Sequence, residues 1–163
     1  KNMKSLLRSK IFANQFSTIK GKQTIGFIGL GNMGSGMIRN LNSEHFEVVA
    51  YDVVPETRER IRAEGHNVVD DVQEIITNPN IDHIITMVPK AAHVKELCDG
   101  ENGIFKNAKK GLKVIDCSTI GPIPATELYE SAKAQGYEFV DAPVSGGIGG
   151  AANGTLTFMV GAQ

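Results

Sequence analysis

Thr24-Ile25-Gly26-Phe27-Ile28-Gly29-Leu30-Gly31-Asn32-Met33-Gly34 is the stretch whose reading decides the fold. An apolar run meets three glycines spaced G-x-G-x-x-G, and a helical pattern opens at Met33, so a strand is expected to turn sharply into a helix. Gly29 permits the tight turn, Gly31 keeps the backbone bare of a Cβ, and Gly34 allows the helix to lie close on the strand, with Leu30, Asn32 and Met33 between them. Free amides at the start of a helix, backed by its dipole, suit a diphosphate. The glycine spacing alone is common. Here the preceding strand, the following helix and the βαβ length agree, and the expectation is a dinucleotide site.

Working outward, short apolar segments alternate with helix-length ones. Strands are expected at Thr24–Ile28, Glu47–Tyr51, Asn67–Val69, His83–Met87, Lys113–Asp116, Glu138–Asp141 and Leu156–Val160. Helices are expected at Met33–Ser43, Pro55–Glu64, Asp71–Thr77, Ala91–Leu97 and Ile123–Gln135. Pro55 suits a first helical turn, and Gly65 and Gly136 stand where left-handed caps are wanted. Such alternation predicts an α/β fold of Rossmann type, a doubly wound, mostly parallel sheet with helices on both faces. Asp52 ends the second strand, where a carboxylate bonds a ribose 2′-hydroxyl and repels a 2′-phosphate, so NAD is expected over NADP. The competing role for Asp52 is to cap the helix that begins near Pro55.

Composition bounds the rest. The chain has 163 residues and a net charge of −1, with no basic excess for nucleic acid. That total hides a division: residues 1–24 hold six basic side chains and no acidic one, leaving 11 basic against 18 acidic in the other 139. The basic part, with scattered Leu6, Leu7, Ile11 and Phe12, has the composition of a mitochondrial transit peptide. Matrix targeting is expected, with translation starting at Met3 and cleavage shortly before Thr24. A basic tail without an address is the competing reading. Domain boundaries follow: a leader over 1–24 and a dinucleotide-binding domain over 25–163. No apolar run approaches the roughly 18 residues of a membrane span. Cys98 and Cys117, and the four histidines, lack metal-ligand spacing.

Further candidates fall at strand ends, where open α/β sheets bind ligands. These are Val88-Pro89, Asp116-Cys117-Ser118-Thr119, and Asp141-Ala142-Pro143-Val144-Ser145-Gly146-Gly147. Hydroxyls beside backbone amides make a donor-rich recess suited to a carboxylate. Ser118 and Thr119 could instead cap the helix after Pro122, and the glycine-rich run from Gly146 to Gly154 could be only a connector. Cys117 adjoins the hydroxyls, although a free cysteine is usually a small buried hydrophobe.

Taken in order, Gly29–Gly34 continuing through Met37 and Asn40-Leu41, Asp116–Thr119, Asp141–Gly147 and Gly154-Thr155-Leu156-Thr157-Phe158-Met159-Val160-Gly161 resemble the β-hydroxyacid dehydrogenase family over about Thr24 to Ala162. The resemblance implies NAD-dependent oxidation of a small hydroxy acid, 3-hydroxyisobutyrate to methylmalonate semialdehyde in valine breakdown. It implies that Val88, Pro89 and Thr119 line the cofactor, while Ser118 and the amides of Gly146 and Gly147 hold the substrate carboxylate. His93 stands where the family often has Asn, which puts that cofactor contact in doubt. The family's general acid/base is a lysine in a long helix leading to a C-terminal helical domain. No match to that lysine lies in this chain: Lys133, the only lysine after Asp116, is placed mid-helix as a solvated charge. The chain alone is therefore expected to be inactive, and the full-length protein to be a homo-oligomer. Two other readings stay open: a non-catalytic NAD-binding module, and a relative acting on tartronate or succinate semialdehyde, or on glyoxylate. No basic residue near Ser118 suits a phosphorylated sugar acid.

Overall fold

The computed structural model describes residues 22–161 apart from positions 42 and 44. The leader expected over 1–24 lies, up to residue 21, outside the described residues.

Six strands form one sheet: β1 (Gln23–Ile28), β2 (Phe46–Tyr51), β3 (Asn67–Val68), β4 (Ile81–Thr86), β5 (Lys113–Asp116) and β6 (Glu138–Asp141). Their order is β3-β2-β1-β4-β5-β6, and every pairing is parallel. The chain starts in the middle, winds outward to β3, returns to β4 beside β1 and winds the other way. This is the Rossmann order, with its switch point between β1 and β4.

Helices fill the crossovers: α1 (Asn32–Leu41), α2 (Pro55–Ala63), α3 (Gln73–Ile76), α4 (Ala91–Asp99), α5 (Ile104–Asn107) and α6 (Pro122–Gln135). Because strand side chains alternate and both faces are covered, neighbours enter different cores. Phe27 and Val48 join Leu30, Ile38 and Ile61 on one face, while Ile28 and Val49 join Ile75, Ile84 and Val94 on the other. Pro55 opens α2, and Gly136 closes α6 in the left-handed region at φ +79°. Gly65, just past the end of α2, has φ +91°.

The C-terminal part corrects two expectations. Leu156–Val160 is not a strand of the main sheet: only Thr157–Phe158 (β8) is extended, and it pairs antiparallel with Val144–Ser145 (β7) in a separate two-stranded sheet. Between them Gly147–Asn153 forms a helix, α7, rather than a connector. The cause is tertiary. Asn40 of α1 donates through Nδ2 to the Ala151 carbonyl at 2.8 Å and faces the Ala152 carbonyl at 3.2 Å. Gly36 lets α1 approach so closely that a Cβ there would strike the Ala151 backbone. The short α5 has no counterpart among the expected helices. Among the described residues no helix is long and apolar enough to cross a membrane.

Candidate dinucleotide site

The turn after β1 gives each glycine its own reason. Gly29 has φ +104°, and a Cβ on it would collide with the Met87 carbonyl. Gly34 faces the Gly29 carbonyl and the Phe27 ring so closely that no methyl group fits. Gly31 is exposed and has nothing within 4 Å of its Cβ position, so the protein's own packing leaves the backbone open there. Leu30 is fully buried beneath the turn, Met33 half-buried, and Asn32 exposed at the start of α1.

Asp52 lies beside this turn and is half-buried. Its Oδ2 accepts from the Leu30 amide at 2.6 Å and its Oδ1 from the Val54 amide at 2.9 Å. The cap of α2 is Val54, with no side-chain cap bond, so Asp52 ties the β2 end to the glycine turn instead. Each carboxylate oxygen keeps a lone pair, which leaves capacity for a ribose hydroxyl. Arg58 packs over Tyr51 at 5.5 Å and donates to the Asp52 carbonyl at 2.8 Å, bracing the turn from behind.

Across the switch point, Val88 sits against Gly29, with its Cγ1 3.1 Å from where a Cβ would be. Its amide donates to Ser118 Oγ at 2.9 Å. Ser118 is 2% exposed, whereas Thr119 beside it and Pro89 are exposed. Neither hydroxyl caps α6: the cap is Gly121, with no side-chain bond. Gly146 (φ +133°) and Gly147 (φ +61°) are exposed at the start of α7, in conformations that favour glycine. His93 is exposed in the first turn of α4, and Lys133 is exposed on α6 with its ammonium 5.8 Å from the Tyr129 ring. The structure thus brings Gly29–Gly34, Asp52, Val88 and Ser118 together at the C-terminal edge of the sheet.

Cys117 is buried, and burial together with the neighbouring Asp116 carboxyl pushes its thiol up to about 12, so it is an inert core group at neutral pH. In the sequence Asp116 reads only as part of a strand end. It is fully buried, and burial, its largest influence, raises its carboxyl above the ordinary range. Its hydrogen-bonding partner Thr86 is a threonine inside an apolar strand, which gives no sequence signal of its own.

Strand order, glycine turn and Asp52 define a dinucleotide-binding domain. Residues 24–163 match the family described as the NAD binding domain of 6-phosphogluconate dehydrogenase, and the chain belongs to that family. It is 42% identical over 144 residues to the mitochondrial 3-hydroxyisobutyrate dehydrogenase of Mus musculus, covering 88% of this chain and 42% of the relative. It is 40% identical over 159 residues to the probable mitochondrial 3-hydroxyisobutyrate dehydrogenase of Dictyostelium discoideum, covering 97% of this chain and 48% of the relative. Among solved structures, Mycobacterium tuberculosis 3-hydroxyisobutyrate dehydrogenase with L-serine aligns with a TM-score of 0.78 at 36% identity. That alignment covers 87% of this chain and 47% of the other. The chain spans about half the length of the curated relatives it matches.

Proposed function

We propose that this chain is the NAD-binding half of a mitochondrial hydroxyacid dehydrogenase that oxidises 3-hydroxyisobutyrate to methylmalonate semialdehyde. One observation carries the cofactor reading: Gly31 is bare and open where Asp52 holds the glycine turn by the Leu30 amide. The residues present fit the group. Amides of the turn would hold the diphosphate, and the Asp52 carboxylate would accept from the ribose hydroxyl, its charge disfavouring a 2′-phosphate.

When bound, NAD supplies the hydride acceptor. Val88, Pro89 and Thr119 would line its nicotinamide side. Ser118 and the Gly146 and Gly147 amides would hold the substrate carboxylate. His93, exposed in the first turn of α4, stands where the resemblance implies a cofactor contact. The base that takes the hydroxyl proton is the lysine of the helical half, for which Lys133 is no substitute. The acidic composition of residues 25–163 against a basic leader, and the mitochondrial names of the relatives, support the matrix as the compartment.

The test is NADH formation at 340 nm. The 163-residue chain is expected to bind NAD without turnover. A protein joining it to a lysine-bearing helical half should be fastest with 3-hydroxyisobutyrate. Equal or higher rates with L-serine, glycerate or tartronate semialdehyde would replace the substrate, and turnover by the short chain would remove the role given to the lysine.

A further inference from the structure

The ends of β4 and β5 are joined by a buried side-chain ring that the dinucleotide reading does not use. Thr86 and Asp116 are the last residues of these strands and face each other in register. Both are fully buried. Thr86 Oγ1 donates to Asp116 Oδ1 at 2.7 Å, and the Ser118 amide donates to the same oxygen at 3.1 Å. Ser118 Oγ in turn accepts from the Val88 amide at 2.9 Å, which closes the ring back onto the β4 loop. Backbone bonds brace it on both sides, from Cys117 to the Thr86 carbonyl at 2.8 Å and from Ala142 to the Asp116 carbonyl at 2.7 Å.

The second carboxyl oxygen of Asp116 has no partner, and no basic side chain among the described residues is hydrogen-bonded to Asp116. The titratable groups facing it are Asp141 on β6, the Cys98 thiol on α4 and Cys117 beside it, none of which supplies a positive charge. Burial and Asp141 both favour the proton-bearing acid, against the hydrogen bonds from Thr86 and Ser118. Retaining so poorly satisfied a carboxyl in a core calls for a role beyond packing.

We propose that Asp116 is a positioning residue that locks the loop bearing Val88 and Pro89 to the loop bearing Ser118 and Thr119, and so sets the nicotinamide half of the site. This rests on the dinucleotide reading above. In a Rossmann sheet the two mononucleotide halves lie on opposite sides of the switch point. The glycine turn and Asp52 serve the adenosine diphosphate half, whereas the ring lies wholly in the other. Loosening the ring therefore weakens a ligand that carries nicotinamide and spares one that lacks it.

The experiment titrates the 163-residue chain and its Thr86→Val, Asp116→Ala and Asp116→Asn variants with NADH and with ADP-ribose. Thr86→Val should weaken NADH by about fivefold, the equivalent of one lost hydrogen bond, and Asp116→Ala, which removes two, by at least as much. ADP-ribose should stay within about twofold in both, because a mononucleotide half is read independently. Asp116→Asn, a neutral isostere that keeps Oδ1, should bind NADH like the parent. Equal weakening of both ligands, an unchanged NADH affinity in Thr86→Val, or an Asn variant as weak as the Ala variant would overturn the proposal. Should Asp116→Ala fail to fold, the near-isosteric Thr86→Val decides. A parent chain that binds neither ligand would instead remove the dinucleotide reading itself, and this proposal with it.

Discussion

Gly34 and Gly31 are three positions apart and identical in chemistry, yet they are glycines for different reasons, and that difference can be measured. A methyl group at Gly34 meets the Gly29 carbonyl, so Gly34→Ala must push α1 off the sheet. It should lower stability by about 1–3 kcal/mol, as overpacking does, so that cofactor binding weakens and the thermal transition temperature falls together. A methyl group at Gly31 meets nothing, so Gly31→Ala should leave thermal unfolding unchanged while weakening NADH by tenfold or more, about 1.4 kcal/mol. Asp116 makes a prediction about pH. Its folded value is raised above the ordinary 3.8, so its contribution to stability is fully present below 3.8 and is lost as pH rises through the folded value. Asp116→Asn carries no such proton. The stability of the variant relative to the parent should therefore grow as pH rises from about 4, the unfolded carboxylate range, and a constant difference in pH-dependent unfolding would contradict the assignment.

At the scale of elements, α7 shows what a sequence pattern conceals. Gly147-Ile148-Gly149-Gly150-Ala151-Ala152-Asn153 has three glycines in seven residues, each a weak helix former, and local propensity argues for a loop. The helix forms because Asn40 and Gly36 on α1, more than a hundred residues earlier, offer it a close seat. That partnership leaves no local trace. The two-residue pairing of β7 with β8 is equally invisible, because alternation over two positions is no signal. By contrast, the β1 turn was legible because strand, glycines and helix are consecutive, and their demands coincide. Asp52 was legible by spacing, although its bonds to Leu30 and Val54 were not. Removing the amide in Asn40→Ala should cost about 1 kcal/mol, the net worth of a hydrogen bond. Amide exchange should then rise first in residues 146–154 and leave β1 protected; uniform acceleration through the sheet would show that α7 is not held by this contact.

At the scale of the whole molecule, the six-stranded parallel sheet places the glycine turn, Asp52, Val88 and Ser118 along one edge. The segregation of charge between residues 1–24 and the remainder suits an address followed by a domain. Fused to a fluorescent reporter, residues 3–24 should carry it into mitochondria; an even cytosolic distribution would withdraw the targeting reading. The relatives extend over about twice the length matched here, which places the substrate-activating chemistry outside the cofactor domain in our proposal. In our proposal this domain binds NAD by itself through the glycine turn, with Asp52 selecting it over NADP. Calorimetric titration of the 163-residue chain with NAD and NADP is the most direct measurement of that claim. The account predicts saturable one-to-one binding of NAD, tighter than NADP by at least about tenfold, and weakened about tenfold or more by Gly31→Ala. Absence of NAD binding, or NADP bound as tightly as NAD, would contradict it.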